Sequence, residues 1–168
     1  MIFYRKPMKE GAPLPMRVKR VRVLSLVALI TYPVGAILAL LGDLNDVAAF
    51  TVGGLLLVFV ALFAFVGMVG TGVQRIAGDE GDKLDPVELD LRHRTYSRAY
   101  SYVSGAFLVA LLYLAIASDT QNSIGLWVPS TFDHWSGVMW GGILLVMVLP
   151  TALLSWSLPE DEIEDDNA

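Results

Sequence analysis

The chain has 168 residues, 55% of them hydrophobic where a soluble domain has roughly 45–50%, and a mean hydropathy of +0.57. It has no cysteine, which excludes disulfides, thiolate metal sites, iron–sulfur clusters, covalent haem attachment and thiol redox chemistry. The net charge of −5 reflects one end, because six of the 17 acidic residues fall between Glu160 and Asp166.

The apolar residues collect in four blocks separated by polar stretches. The segment 1–22 comes first and carries seven cations: Arg5, Lys6, Lys9, Arg17, Lys19, Arg20 and Arg22. The first block, 23–41, follows. Val34-Gly35-Ala36 loosely fits a signal-peptidase site, but it lies inside an apolar run that continues to Leu41, so an uncleaved first helix is expected. Pro33 is expected to kink it. After a loop at 42–46 without Lys or Arg, the second block runs over 47–73, longer than a crossing needs, and is expected to tilt or extend past the bilayer.

The stretch 74–98 is expected to form a polar loop and the start of the third helix. Gly78-Asp79-Glu80-Gly81-Asp82 is an acidic turn. Asp85 then suits an N-cap, Pro86 the first helical position, and Glu88 the far side of a capping box. Leu84 and Leu89 occupy the positions of a hydrophobic staple. Glu88 with Arg92 and Asp90 with Arg94 are spaced i,i+4 in the favourable order, each pair adding about 0.3–0.5 kcal/mol. A helix that starts here extends about three turns beyond the membrane before it enters lipid. Arg92, Arg94 and Arg98 on it could each gain about 1 kcal/mol from anionic headgroups.

The residues from Leu84 to Tyr100, with an acidic start, spaced Arg92, Arg94 and Arg98, and a closing Ala99-Tyr100, resemble a segment of several groups of small prokaryotic multi-span membrane proteins. Pro86 stands where that pattern usually has Glu, and Thr95 or Tyr96 where Ala is common. The likeness covers about a tenth of the chain. It implies a prokaryotic membrane protein and brings no activity with it.

The third block runs over 99–117, with Ser97, Ser101 and Gly105 recurring every fourth residue at its start. The loop 118–136 again has no Lys or Arg and gathers Trp127, Phe132 and Trp135, with Trp140 just beyond. The fourth block, 137–156, carries the pair Gly137 and Gly141 with Gly142 beside it, and Trp156 at its exit. Pro159 stops it, and the acidic tail 157–168 is read as a solvated end.

A helix rises 1.5 Å per residue, so about 20 residues cross the hydrocarbon core. All four blocks reach that length, and none contains Asp, Glu, Lys, Arg or His. Backbone groups in lipid must pair within the segment, so the expected fold is an all-α bundle of four transmembrane helices, with the third helix extended into the cytoplasm. The domain so defined spans 23–156, between a basic segment 1–22 and the tail. All 12 Lys and Arg residues fall on one side of this arrangement. Cations mark the cytoplasmic face, so both termini are expected inside, in a cell (inner) membrane. Tyr96 and Tyr100 at one boundary and the tryptophans at the other suit headgroup depth.

The spans lack the ionisable group that ion-coupled transport uses. In size and span count the chain resembles the small multidrug-resistance exporters, but their membrane-embedded Glu has no counterpart in the first span, and that assignment is rejected. The only histidines, His93 and His134, lie on opposite sides and cannot share haem or a metal. There is no phosphate loop, nucleophile elbow or zinc-protease motif, and the basic residues follow topology, so no cofactor, metal, catalytic residue or nucleic acid is assigned.

Small residues let helices approach, so Ser101, Gly105, Gly137, Gly141 and Gly142 are the packing or interaction candidates, with Asp85 and Glu88 marking the cytoplasmic helix start. The expected function is non-enzymatic: an accessory or membrane-organising subunit. Its partners would be the bilayer, anionic headgroups, a second copy or another membrane protein. A passive or lipid-type carrier lined by Thr31, Tyr32, Thr51 and Tyr113 is the alternative. A headgroup enzyme built on Asp119, Asp133 and His134 comes third.

Overall fold

Long uncharged runs satisfy their own backbone only as helices, and the computed structural model of the protein is helical wherever those runs occur. It describes residues 17–78, 84–124 and 126–158, the side chains of 119–124 excepted. The segment 1–16, the acidic residues 79–83 and the tail from Pro159 onward, named above from sequence, lie outside the described residues. Five helices follow in order: α1 (Val18–Leu44), α2 (Ala48–Met68), α3 (Gly72–Gly78), α4 (Pro86–Ile124) and α5 (Phe132–Ser157). Four of them, all but α3, are long and apolar enough to cross a membrane. The described residues contain no strand.

Three of the four spanning helices, α1, α4 and α5, exceed their apolar blocks at both ends. α1 takes up Val18 to Arg22, and α4 starts at Pro86 and continues to Ile124, past the end of the third block. At 39 residues α4 is about 58 Å long, nearly twice a hydrocarbon core. Pro33 and Pro150 both sit within continuous helices.

The second block is where sequence and structure differ. A single helix through 73 was expected, yet α2 stops at Met68. Val69 turns extended and Gly70 takes φ 92°, a left-handed conformation that costs glycine little. Thr71 then starts a new helix: its hydroxyl oxygen accepts from the Gln74 amide and donates to the Met68 carbonyl. Apolar length does not register this break, because Gly70 and Thr71 interrupt the helix without interrupting the hydrophobicity.

The connection from α1 to α2 is a Schellman-type end. The Val47 amide bonds the Gly42 carbonyl at 2.9 Å and the Asp46 amide reaches Asp43 at 3.4 Å, with Asp46 itself left-handed at φ 54°. The two helices therefore return on each other over three residues.

Packing follows a seven-residue rhythm. The buried positions of α1 are Val18, Val21, Ser25, Ala28, Tyr32, Gly35 and Gly42, separated by alternating threes and fours with one omission. On α2 the buried residues are Gly54, Ala61, Ala64 and Met68, and on α5 the series Leu144, Val148, Thr151, Ser155 repeats it. A 3.5-residue seam is that of helices crossing at a shallow angle, the usual geometry of membrane bundles. The large residues of α1 lie on the other face: Val23, Leu26, Ile30, Val34, Ile37 and Leu41 are exposed. Small side chains inside and large ones outside fit a chain whose outer solvent is lipid.

The spanning helices pack in series, α2 against α1, α1 against α5, and α5 against α4, with α3 tucked beside α5 and α4. α1 and α5 are the centre, and α2 and α4 are the edges. The expected bundle is thus an open row rather than a closed ring. Lipid covers an exposed apolar face as well as protein does, so nothing forces the ring to close.

Candidate functional site

One end of the row holds every described Lys and Arg, and there side chains tie the helices together. Arg22 of α1 donates from Nε to the Ser155 carbonyl (2.9 Å) and from Nη2 to the Leu158 carbonyl (2.7 Å). A cation at these last carbonyls of α5 satisfies groups that a helix end leaves open and sits favourably on its dipole. The same guanidinium lies 5.1 Å from the Trp156 ring centre. Arg22 is therefore a cap as well as a topological charge.

α3 is clamped at the same end. The Thr151 hydroxyl of α5 donates to Gln74 Oε1, and both side chains are buried. Tyr96 of α4 donates to the Ala77 carbonyl at 2.6 Å. Arg75 pairs with Glu88, which joins α3 to the first turn of α4. Glu88 also completes the expected capping box: its amide donates to Asp85 Oδ1 at 2.7 Å, and Asp85 N–H points back to Glu88 Oε2 at 3.4 Å. Asp90 bonds Arg94 at 2.8 Å as the i,i+4 spacing suggested, while Arg92 lies 5.6 Å from the Tyr96 ring centre. Asp85 and Glu88 are thus local helix-start residues, and Glu88 has the added task of holding α3, which spacing alone did not reveal.

The five small-residue candidates divide. Gly141 packs: a methyl added there would lie 2.8 Å from Tyr32 Cε1. The Tyr32 hydroxyl continues past it to the Gly137 carbonyl at 2.7 Å, so the GxxxG pair receives an aromatic ring from α1 rather than a second backbone. Gly137, Gly142 and Gly105 each have open space where a side chain would go. Ser101 is exposed, and its hydroxyl bonds the Ser97 carbonyl at 3.0 Å. Gly105 and Ser101 lie on the outward side of α4, beside Tyr100, Phe107, Leu108 and Val109, all at least 60% exposed.

The closest backbone approach occurs elsewhere. A methyl on Gly35 would stand 2.6 Å from the Gly54 carbonyl oxygen, and one on Gly54 2.5 Å from the Gly35 oxygen. Gly42 meets Thr51 in the same way. The available signal was Gly35, Ala39 and Gly42 at four- and three-residue spacing on one face of the first span, a small-residue run of the kind that brings membrane helices together.

At the opposite end, His134 stands within the first turn of α5. Thr131 caps that helix, accepting from the His134 amide at 3.3 Å. Imidazole Nδ1 accepts from the Ser130 amide at 3.3 Å, and Nε2 lies 3.5 Å from Asp43 Oδ2 at the end of α1. Trp127 meets the ring edge to face, with centroids 5.4 Å apart, and its carbonyl accepts from the Tyr113 hydroxyl of α4 at 2.8 Å. The carboxylate facing His134 is therefore Asp43, brought from another helix, rather than its neighbour Asp133. The side chain of Asp119 is among those not described.

Comparison of the chain with protein-family models, with curated proteins and with solved structures finds no match.

Proposed function

We propose that the chain is a non-enzymatic, multi-pass subunit of a prokaryotic cell membrane that organises or assists another membrane component through helix contacts. Its amino and carboxyl termini both face the cytoplasm in this reading, which rests on the one-sided distribution of Lys and Arg. The third spanning helix, α4, then projects into the cytoplasm, where its arginines meet anionic headgroups.

The observation that carries the reading is α4. It is an edge helix whose main packing across the span is on α5, and only 6% of its apolar stretch is buried within the chain. On its uncovered side Ser101 and Gly105 leave room for a helix to approach closely. The small-residue contact between α1 and α2 is already closed, whereas α4 offers an open small-residue face to a second copy or another membrane protein.

The carrier alternative would use free hydroxyls along a path. Thr31, Tyr32 and Tyr113 instead donate to the carbonyls of Val27, Gly137 and Trp127. The two tyrosine hydroxyls brace the fold, and the Thr31 hydroxyl bonds within its own helix.

The test is affinity purification in mild detergent, with identification of co-purifying chains and in-membrane cross-linking of the chain to itself. A reproducible partner or dimer that disappears in Gly105→Leu, while the variant still inserts and purifies, supports the reading. Repeated recovery of the uncross-linked chain alone sinks it.

A further inference from the structure

We propose that His134 is a proton-responsive latch: when neutral it holds the segment 126–130 onto α5, and when protonated it releases that segment and binds α1 through Asp43.

The two imidazole nitrogens do different work. Nδ1 accepts the Ser130 N–H at 3.3 Å, so its lone pair is occupied and the ring hydrogen resides on Nε2. Nε2 lies 3.5 Å from Asp43 Oδ2, too long for a good hydrogen bond from a neutral ring. Nε2 is buried, with no hydrogen-bond partner among the described residues. A proton taken from water can add only at Nδ1. Once there, it faces the Ser130 N–H, donor against donor, and that bond is lost. The same proton makes the ring a cation, and its Nε2–H then meets the Asp43 carboxylate as an ion pair, which shortens and strengthens the contact. One protonation therefore exchanges a loop-to-α5 bond for an α1-to-α5 bond.

The surroundings suit this exchange. The segment 126–130 bonds to α5 through the Ser130 amide, and the Trp127 ring rests on His134. The Trp127 indole N–H has no acceptor among the described residues. The charged and titratable groups at this end are Asp43 on α1, Asp46 in the following turn, Asp133 on α5, and Tyr113 on α4, whose hydroxyl donates to the Trp127 carbonyl. Along α4 itself, side chains are described only through Ser118. No Lys or Arg lies between 23 and 74 or beyond 98, and among the described residues no cation competes with the imidazolium for Asp43. Imidazole is the side chain whose unperturbed charge change falls between about pH 5 and 8.

The test uses the full chain in phosphatidylcholine nanodiscs. The native chain has no cysteine, so a nitroxide on Val128→Cys is a unique probe. Its mobile fraction is expected to rise about fivefold from pH 8 to pH 5, the shift that follows from losing one hydrogen bond of ordinary net strength. In His134→Asn the amide oxygen can still accept from Ser130 and does not titrate, so the mobile fraction is expected to stay at its pH 8 value. Equal mobility at both pH values in the His134 protein, or the same rise in His134→Asn, overturns the proposal. A label-free measurement guards against disturbance by the probe: histidine 15N spectra in a His93→Gln background. A hydrogen on Nε2 alone at pH 8, joined by one on Nδ1 at pH 5, supports the latch, and an Nδ1–H tautomer at pH 8 overturns it.

Discussion

The Tyr32 hydroxyl of α1 donates a 2.7 Å hydrogen bond to the Gly137 carbonyl of α5, and its ring fills the space that Gly141 leaves open. This contact joins the two central helices of the row. The Gly137 carbonyl can still accept from its own helix when the tyrosine is lost, so Tyr32→Phe strands no buried group. Interhelical bonds of this kind average about 0.6 kcal/mol, and we expect a cost of that size. Gly141→Val forces a side chain into the ring and is expected to cost about 1–3 kcal/mol. Unfolding of both variants in mixed micelles, followed by circular dichroism, checks the order. A Tyr32→Phe cost above that of Gly141→Val contradicts it.

Gly35 and Gly54 bring α1 and α2 into backbone contact, so their side-chain-free surfaces are a structural requirement. A leucine at either position meets the facing backbone, which cannot rotate away as a side chain can. Gly35→Leu and Gly54→Leu are each expected to destabilise by about 1–3 kcal/mol or more, whereas Gly142→Leu, with open space around it, stays near neutral. The same unfolding assay decides. If Gly142→Leu proved the most damaging of the three, the assignment of the close crossing would be wrong.

These glycines also show how much could be read in the sequence. Span number followed from length and charge, because the transfer cost of backbone and charge into lipid depends on the residues locally. The capping box at Asp85 and Glu88 was legible for the same reason: each partner lies three residues from the other. What stayed hidden depends on partners distant in the chain. Gly35 and Gly141 look alike as letters, yet one meets a backbone and the other a tyrosine. The pairing of His134 with Asp43 across 91 positions, and of Arg22 with the end of α5, has no local signature. The break at Gly70 was missed because helix continuity and hydrophobic continuity are different properties.

Asp46 holds the left-handed position that ends α1, where glycine or asparagine is preferred. A Cβ in that conformation costs free energy, less for Asp than for most residues. Asp46→Gly is therefore expected to stabilise the α1–α2 hairpin by about 0.5–1 kcal/mol, provided the carboxylate has no other role at this end. A raised unfolding midpoint in detergent is the expected result, and a lowered one would show that the Asp46 side chain makes a contact worth more than the backbone relief.

Gln74 and Thr151 are a buried polar pair joining α3 to α5, and a double-mutant cycle separates their roles. Thr151→Val strands the buried Gln74 amide and is expected to cost about 1–3 kcal/mol. Gln74→Leu leaves a hydroxyl that can turn to its own helix, so its cost is expected to be smaller. The double variant removes both groups and should cost less than the sum of the two, with a coupling of about 0.5–3 kcal/mol. Strict additivity would mean that the pair contributes packing only.

Orientation gives the test with the widest reach, since the assignments of the cytoplasmic helix and the His134 end to their compartments both depend on it. Arg22 and Arg75 lie at the same end as Arg92, Arg94 and Arg98, and Asp43, Asp133 and His134 lie at the other. If cations remain on the side of synthesis, alkaline phosphatase fused after Asp46 or Gln121 should be active, and the same enzyme after Asp82 or Ala168 inactive. A fluorescent-protein reporter that matures only in the cytoplasm should give the opposite pattern. Reversing the charge bias provides the decisive variant: neutralising Arg17, Lys19, Arg20 and Arg22 together is expected to raise phosphatase activity at Ala168, because the first helix then loses the cations that hold its start inside. An unchanged pattern in that variant would assign orientation to the arginines of α4 instead, and activity at both Asp46 and Asp82 in the native chain would exclude a hairpin entry of α1 and α2 altogether.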